Sequence, residues 1–409
     1  MKTKLQSPAI FFLILSLLIS GCSLASPAPV MTDDSDTDPA LHTEESATPS
    51  STALPSSTPT EMPSPSPTIP PVLPLTLGTA LPQLGTVISS DNVERIVEIA
   101  VWTEHGCSIF DLTFSPNSQI LASTSCDNTL RLWDLTSGTQ RANIGQSGPL
   151  FGTDFSPDGA TLVAWFNFAD TITLYDVLSG GQLRTLEYAG SMTSAAFSPD
   201  GQTLATPTRD GLIIFWDFTN GTQLSSLKPD IVLGPYDTNF PIGQIKFSPD
   251  GEMLASADGD HKIRLWELAS GTVKSILDFG DKNFWKIDFS SDGSILMVHT
   301  ASYDFYSEAE ENGVEFFDLA SGKKLRELKW DVKSYSLRTA LSPNGAVLAA
   351  GFPDGTIILY DVASGNELRK LSGHTGIDIS SIAFSPNGRF IASGSGDGDG
   401  TIRLWGIYP

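Results

Sequence analysis

The chain has 409 residues, with 24 Lys and Arg against 47 Asp and Glu and a formal net charge of −23. Residues 1–77 hold two of the basic and seven of the acidic groups, so the rest keeps 22 against 40, a net of −18. No basic stripe is left to displace counterions from a phosphate backbone or to dock on anionic lipid, which argues against nucleic acid and charged bilayers as partners.

The first 22 residues read as an address. Lys2 and Lys4 give a positive start, and residues 9–19 are apolar except for Ser16. That run has the length of a signal-peptide core and is short for a bilayer span. Ile19-Ser20-Gly21-Cys22 follows at once and resembles a bacterial lipobox. The resemblance implies lipid on Cys22 and an anchor without a spanning helix. An ordinary signal peptide cut near Ala25 and Ser26 is the alternative. The expected location is the outer face of the bacterial cell membrane, or the outer membrane in a diderm. Residues 23–77 are rich in Ser, Thr and Pro with an acidic patch at 33–46. They offer little apolar area to offset ordering entropy, so a disordered stalk is expected. As a flexible chain it would average roughly 40 Å end to end.

From residue 78 the chain repeats itself. Phe-Ser-Pro-Asp-Gly stands at 155–159, 197–201 and 247–251, with variants at 114–118, 289–293, 341–345 and 384–388. The steps between copies are 41, 42, 50, 42, 52 and 43 residues. Such a period marks stacked four-stranded units. Ser-Pro-Asp-Gly is type I turn chemistry, with Pro setting φ at the second position. Short apolar runs flank it, such as Ile109–Phe114 before and 120–123 behind. A turn with Asp and often Gly follows (Asp127-Asn128, Asp210-Gly211, Asp354-Gly355, Asp399-Gly400). The next strand ends in an aromatic and usually an acid, and a Ser-Gly or Asn-Gly turn leads to a fourth, such as 182–186 or 367–371. Four short strands in a meander form one propeller blade, whose faces only its neighbours can cover.

Trp133-Asp134, Trp216-Asp217 and Trp266-Glu267, with weaker copies Tyr175-Asp176, Phe317-Asp318, Tyr360-Asp361 and Trp405-Gly406, make residues 93–409 resemble the WD-repeat family of β-propellers. The implied fold is all-β: seven four-stranded antiparallel blades across 78–409. The last unit stops after its third strand, while a spare strand-like run precedes the first full unit at 93–102. In this family the N-terminal strand commonly completes the last blade, so 93–102 is expected to pair with 401–406 and leave no open edge.

The resemblance carries few roles for single residues. Gly373-His374 matches the family's Gly-His pair, which implies a structural hydrogen-bond chain through His374, Ser393, Asp399 and Trp405. His105-Gly106 inverts the pair and leaves its counterpart role open. Cys107 and Cys126 fall in two loops that share one blade face in this family, so a disulfide is implied where an exported protein would keep it; two separate small hydrophobes are the alternative. No His has a second ligand at metal spacing, and residues 396–400 resemble a calcium loop but lack its further ligands. No cofactor, metal or catalytic constellation is expected.

Departures from the repeat are the better clue to function. Trp165, Phe166 and Phe168 stand where sibling units have Ser, Thr and Gly, and Tyr303, Phe305 and Tyr306 sit in an insertion. Tyr236, Phe240, Trp330 and Tyr335 lie in long connections, and Arg209 in a turn. By family topology these loops emerge on one face, where they would either contact a partner or pack in the channel and beneath the insertions. The expected function is a non-enzymatic, membrane-anchored, monomeric scaffold whose loop-rich face binds a protein or cell-envelope polymer. The alternative is an envelope-exposed hydrolase or cofactor-dependent enzyme using groups such as Arg209, Asp210, Asp258, Asp260 or His261.

Overall fold

The computed structural model describes residues 74–408 apart from 147, 149, 167–168, 232–240, 281, 302–310, 332–336, 377 and 397–398. The leader, Cys22 and nearly all of the stalk lie outside the described residues. One compact unit runs over Val72–Pro409, and no helix among its described residues is long and apolar enough to cross a membrane.

The unit is a seven-bladed β-propeller, each blade a four-stranded antiparallel sheet. In chain order the blades occupy 109–145, 150–192, 196–227, 242–278, 283–331, 338–371 and 379–407, the last completed from the N-terminus. First strands of neighbouring blades touch and form the inner wall. The apolar clusters lie between blades: one joins Ile120, Ala122, Leu130 and Leu132 of blade 1 to Leu150, Phe155, Leu162 and Ala164 of blade 2. Burial on both faces explains why second strands such as Ile120–Ser125 are buried throughout and do not alternate.

The repeated turn is held by its own side chains. In blade 2 the Gly159 N–H donates to Ser156 O at 2.8 Å, the i to i+3 bond of a type I turn. Ser156 Oγ accepts from Thr161 N–H at 2.9 Å, and Asp158 Oδ1 accepts from Ala160 N–H at 2.9 Å. Both bonds are local, so any strand pair joined by this motif starts in register. Gly159 sits at φ 70°, a region that costs most residues about a kcal/mol or more. Blade 1 meets the same demand with Ser118 at φ 58°.

Ring closure follows the expected topology. Ile96–Trp102 pairs antiparallel with Ile402–Ile407 as the outer strand of blade 7, from Ile96 opposite Ile407 to Trp102 opposite Ile402. The strand starts later than the apolar run, because Val93–Arg95 forms a 3-10 turn. Glu98 and Arg403 form an ion pair across the seam. Trp102 stacks on Trp133 of blade 1, with ring centroids 4.8 Å apart and planes 9° apart.

The wrap begins before the closing strand. Leu75 forms a parallel bridge with Ala100, donating to Ile99 O at 2.9 Å and accepting from Val101 N–H at 3.0 Å. Gly78 N–H reaches Gly138 O at 2.7 Å, and Ile88 N–H reaches Gly388 O at 2.8 Å. Leu81, Leu84 and Ile88 are buried. Leu75 thus pairs with the outer edge of the closing strand at one point, and Gly78 and Ile88 tie the lead-in to turns of blades 1 and 7.

Candidate interaction face and channel

The loops before each first strand and the turns between second and third strands meet on one face. In blade 7 His374 Nδ1 lies 3.2 Å from Asp399 Oδ2 and Nε2 lies 2.8 Å from Ser393 Oγ, which also accepts Trp405 Nε1–H at 2.8 Å. Burial opposes ionisation of Asp399, yet the bonds from His374, Ser395, Thr401 and Thr375 hold its carboxyl well below the usual range. Blade 1 builds the same chain. His105 contacts Asp127 at 2.8 Å and Ser123 at 2.7 Å, and Trp133 donates to Ser123 at 2.8 Å. The inverted Gly does not matter, because the residue after each His donates its N–H to the Asp: Gly106 to Asp127 at 3.3 Å and Thr375 to Asp399 at 2.9 Å. Both ring nitrogens of each buried imidazole are engaged, so these groups brace turns and leave no atom for proton transfer.

Cys107 and Cys126 are joined by a disulfide with Cα atoms 5.4 Å apart. It ties the loop behind the closing strand to the second-to-third-strand turn of blade 1. Ser125 Oγ donates to Cys107 O at 3.1 Å and Cys126 N–H to Ser108 O at 3.0 Å.

In the turn of blade 4 two carboxylates share one guanidinium. No His bonds the turn Asp there, and Arg264 takes that place, bonding Asp260 at 2.8 and 2.9 Å, Asp258 at 2.6 Å and Asp230 O at 2.7 Å. His261 occupies the turn at φ 60° with Nδ1 3.0 Å from Lys282 O. Arg209 is exposed, and Asp210 accepts from Tyr188 Oη–H at 3.0 Å. Among the described residues no group of three or more His, Cys, Asp or Glu could hold a metal.

Burial pushes the Asp258 carboxyl up to about 7, against the opposing bond and charge of Arg264. The ordinary value is 3.8, so the folded state keeps this proton longer than the unfolded chain. Its contribution to stability is complete below about pH 4 and is lost as pH rises through about 7. Asp258→Asn is expected to remove that loss, so the stability difference between the two proteins should change from about pH 4 to about pH 7. Urea unfolding across that range checks this; a constant difference would contradict it.

Of the aromatic and basic candidates, Trp165, Phe166, Arg209 and Trp330 are described, while Phe168, Tyr236, Phe240, Tyr303, Phe305, Tyr306 and Tyr335 lie outside the described residues. Trp165 packs toward blade 3 and Phe166 toward blade 1, both half-buried. The Trp165 indole covers Gly152, where a Cβ would stand 2.2 Å from the ring. Trp330 donates Nε1–H to Tyr360 Oη at 2.9 Å and packs edge-on to Phe352 and Tyr360, so it serves the junction of blades 5 and 6. The structure does not gather these four into one surface.

It gathers a different pair. Phe110 and Phe151 stack with centroids 5.2 Å apart and planes 5° apart, and Phe151 is 39% exposed. Each stands at the bulge near the start of its first strand, where the register skips a residue. The sequence signal was an aromatic at the same strand position, 41 residues apart, in consecutive units.

The inner strands also carry charge. Asp111 accepts from Thr153 N–H at 2.9 Å, Asp154 from Phe197 N–H at 3.4 Å, and Gln244 from Ile287 N–H at 2.7 Å. Lys286 donates to Thr339 O at 3.3 Å and Arg338 to Ser380 O at 3.0 Å. Each side chain thus satisfies backbone of the next blade, where no ladder can form between sheets. Burial raises the carboxyls of Asp111 and Asp154. Burial, with the Lys286 charge, drops His299 to about 3, so it stays neutral.

A family model for the WD domain, G-beta repeat, matches residues 97–134, 180–217, 232–267 and 365–406. The chain therefore carries WD40 repeats. The window 97–134 joins the closing strand to the first three strands of blade 1, so the sequence repeat is offset by one strand from the structural blade. That offset is why the N-terminus must complete the last sheet. Among similar proteins, Coronin-7 of Bos taurus is 35% identical over 80 residues, 19% of this chain and 9% of that protein. Ribosome assembly protein 4 of Chaetomium thermophilum is 45% identical over 60 residues, 14% of this chain and 12% of its own length. The chain thus spans only about a tenth of the curated relatives it matches.

Proposed function

We propose that the WD40 propeller is a non-enzymatic scaffold, held at the outer face of a bacterial envelope membrane by lipid on Cys22, that binds a protein or an envelope polymer through its loop-rich face. The observation that carries this reading is the contrast on that face. His105 with Asp127, His374 with Asp399, and Arg264 with Asp258 and Asp260 are spent on one another, while the Phe110–Phe151 stack is left partly open to water. A rigid frame with freely varying loops suits recognition, and partly exposed aromatic rings are favoured anchors for it. WD40 propellers typically bind protein partners, which supports a protein over a polymer.

The test is crosslinking and recovery from membrane fractions. The intact chain is compared with Cys22→Ser and with a Phe110→Ser, Phe151→Ser double variant. The expected results are loss of the Cys22→Ser chain from the membrane fraction and at least a fivefold drop in partner recovery with the double variant at unchanged melting temperature. Equal recovery with the double variant would remove the aromatic anchor from the account, and membrane retention of Cys22→Ser would remove the lipid.

A further inference from the structure

The array carries a net charge of −18, yet three cations stand on the inner strands of consecutive blades: Lys246, Lys286 and Arg338. All three are half-buried. Lys286 is satisfied, with Asp288 at 3.2 Å and Thr339 O at 3.3 Å. Lys246 has no hydrogen-bond or ion-pair partner among the described residues, and Arg338 uses only Nε, on Ser380 O. The carboxylates around Lys246 are already engaged, since Asp111 and Asp154 accept backbone N–H groups of the next blade and Asp288 holds Lys286. Burial lowers Arg338, while Asp378 and Asp111 act on it through their charge in the opposite direction. Burial works against the charge on Lys246, but Asp154, Asp288 and Asp111 outweigh it and keep the ammonium protonated. Those carboxylates act on Lys246 through space and none of them touches it.

A half-buried cation without a contacting acceptor loses hydration and regains little. A structural role is accounted for at Lys286 and at Arg338 Nε, but not at the Lys246 ammonium or at the two terminal nitrogens of Arg338. We propose that the inner wall at blades 4 to 6 is a binding site for a carboxylate group, taken in contact by Lys246 and by the free fork of Arg338. A guanidinium fork grips a carboxylate by two parallel bonds. A carboxylate, with one charge on each group, suits the wall better than a phosphate, because Asp111, Asp154 and Asp288 stand nearby and would repel a second charge held on the same group. The carrier is either a small soluble dicarboxylate or an acidic segment of a protein. The site does not depend on the scaffold reading, since either carrier can be tested without a cellular partner.

The experiment is isothermal titration of the full chain at low salt with succinate, and separately with a capped Glu-Glu-Glu peptide. Three variants are compared: Lys246→Met, Arg338→Gln, and Lys274→Met, which removes the same charge from the exposed outer strand of blade 4. Saturable binding of either probe is expected, weakened at least tenfold by Lys246→Met and by Arg338→Gln and less than twofold by Lys274→Met. Succinate alone saturating assigns a small-molecule carrier, and the peptide alone assigns a protein segment. The proposal is overturned if neither probe saturates, or if Lys274→Met weakens binding as much as Lys246→Met. Circular dichroism of each variant separates loss of the site from loss of fold.

Discussion

A chain that begins at Thr103 is expected not to close its ring. It would lack Leu81, Leu84, Ile88, Val93, Ile96, Ile99 and Trp102, all buried in the clusters that flank blade 7. Full burial of one such side chain is worth about 1.5–3 kcal/mol. Seven of them give about 10–20 kcal/mol as an upper estimate, since the unfolded chain already hides part of this area. Even half of that rivals the whole stability of an ordinary domain, about 5–15 kcal/mol. The loss would also uncover the edge of Ile402–Ile407, whose free N–H and C=O groups invite another chain. The truncated protein should therefore melt far below the intact one and associate, which thermal unfolding with light scattering measures. A monomer with an unchanged melting curve would refute the pairing as a source of stability.

Reducing the Cys107–Cys126 bond is expected to have the second largest effect. The cysteines are 19 residues apart, and a closed loop of that size is worth about 3 kcal/mol in the chain-entropy account. The position sharpens the effect. The bond pins the chain just behind Trp102, and the Cys107 carbonyl lies 3.0 Å from where a Cβ on Gly400 of blade 7 would stand. The clasp therefore sits at the junction that the closing strand must reach. Calorimetry with and without reductant should show a fall of several degrees. The Cys107→Ser, Cys126→Ser double variant should start lower and ignore reductant. No difference between reduced and oxidised protein would show that the surrounding bonds suffice.

Much of the fold was legible because its chemistry is local. Ser156 and Asp158 close their turn with bonds two to five residues away, so seven copies of the motif announce seven sheets. The closing strand was legible by counting, since the last unit lacked a fourth strand and the N-terminus held a spare one. Its lead-in was not. Leu75 and Leu77 sit in Pro-rich sequence without periodicity, and their packing onto the closing strand depends on pairing with Ala100.

The candidate site was less legible for the same reason. Asp111, Lys246 and Arg338 are more than ninety residues from one another in sequence and share a wall only because the blades are radial. Trp330 looked like a surface aromatic, but Tyr360 and Phe352 surround it. Phe110 and Phe151 looked like ordinary strand residues until the bulge turned them toward each other. His105 was obscured by a reversed dipeptide, although the bond that matters comes from the residue behind it.

Amide hydrogen exchange on the intact chain tests the ring most directly. If Ile96–Trp102 is the outer strand of blade 7, its paired amides should be protected about as long as those of Ile379–Phe384 and Phe390–Ser395 in the same sheet. Exchange of 96–102 within seconds, beside slow exchange of those two strands, would mean that the two ends of the chain are not joined.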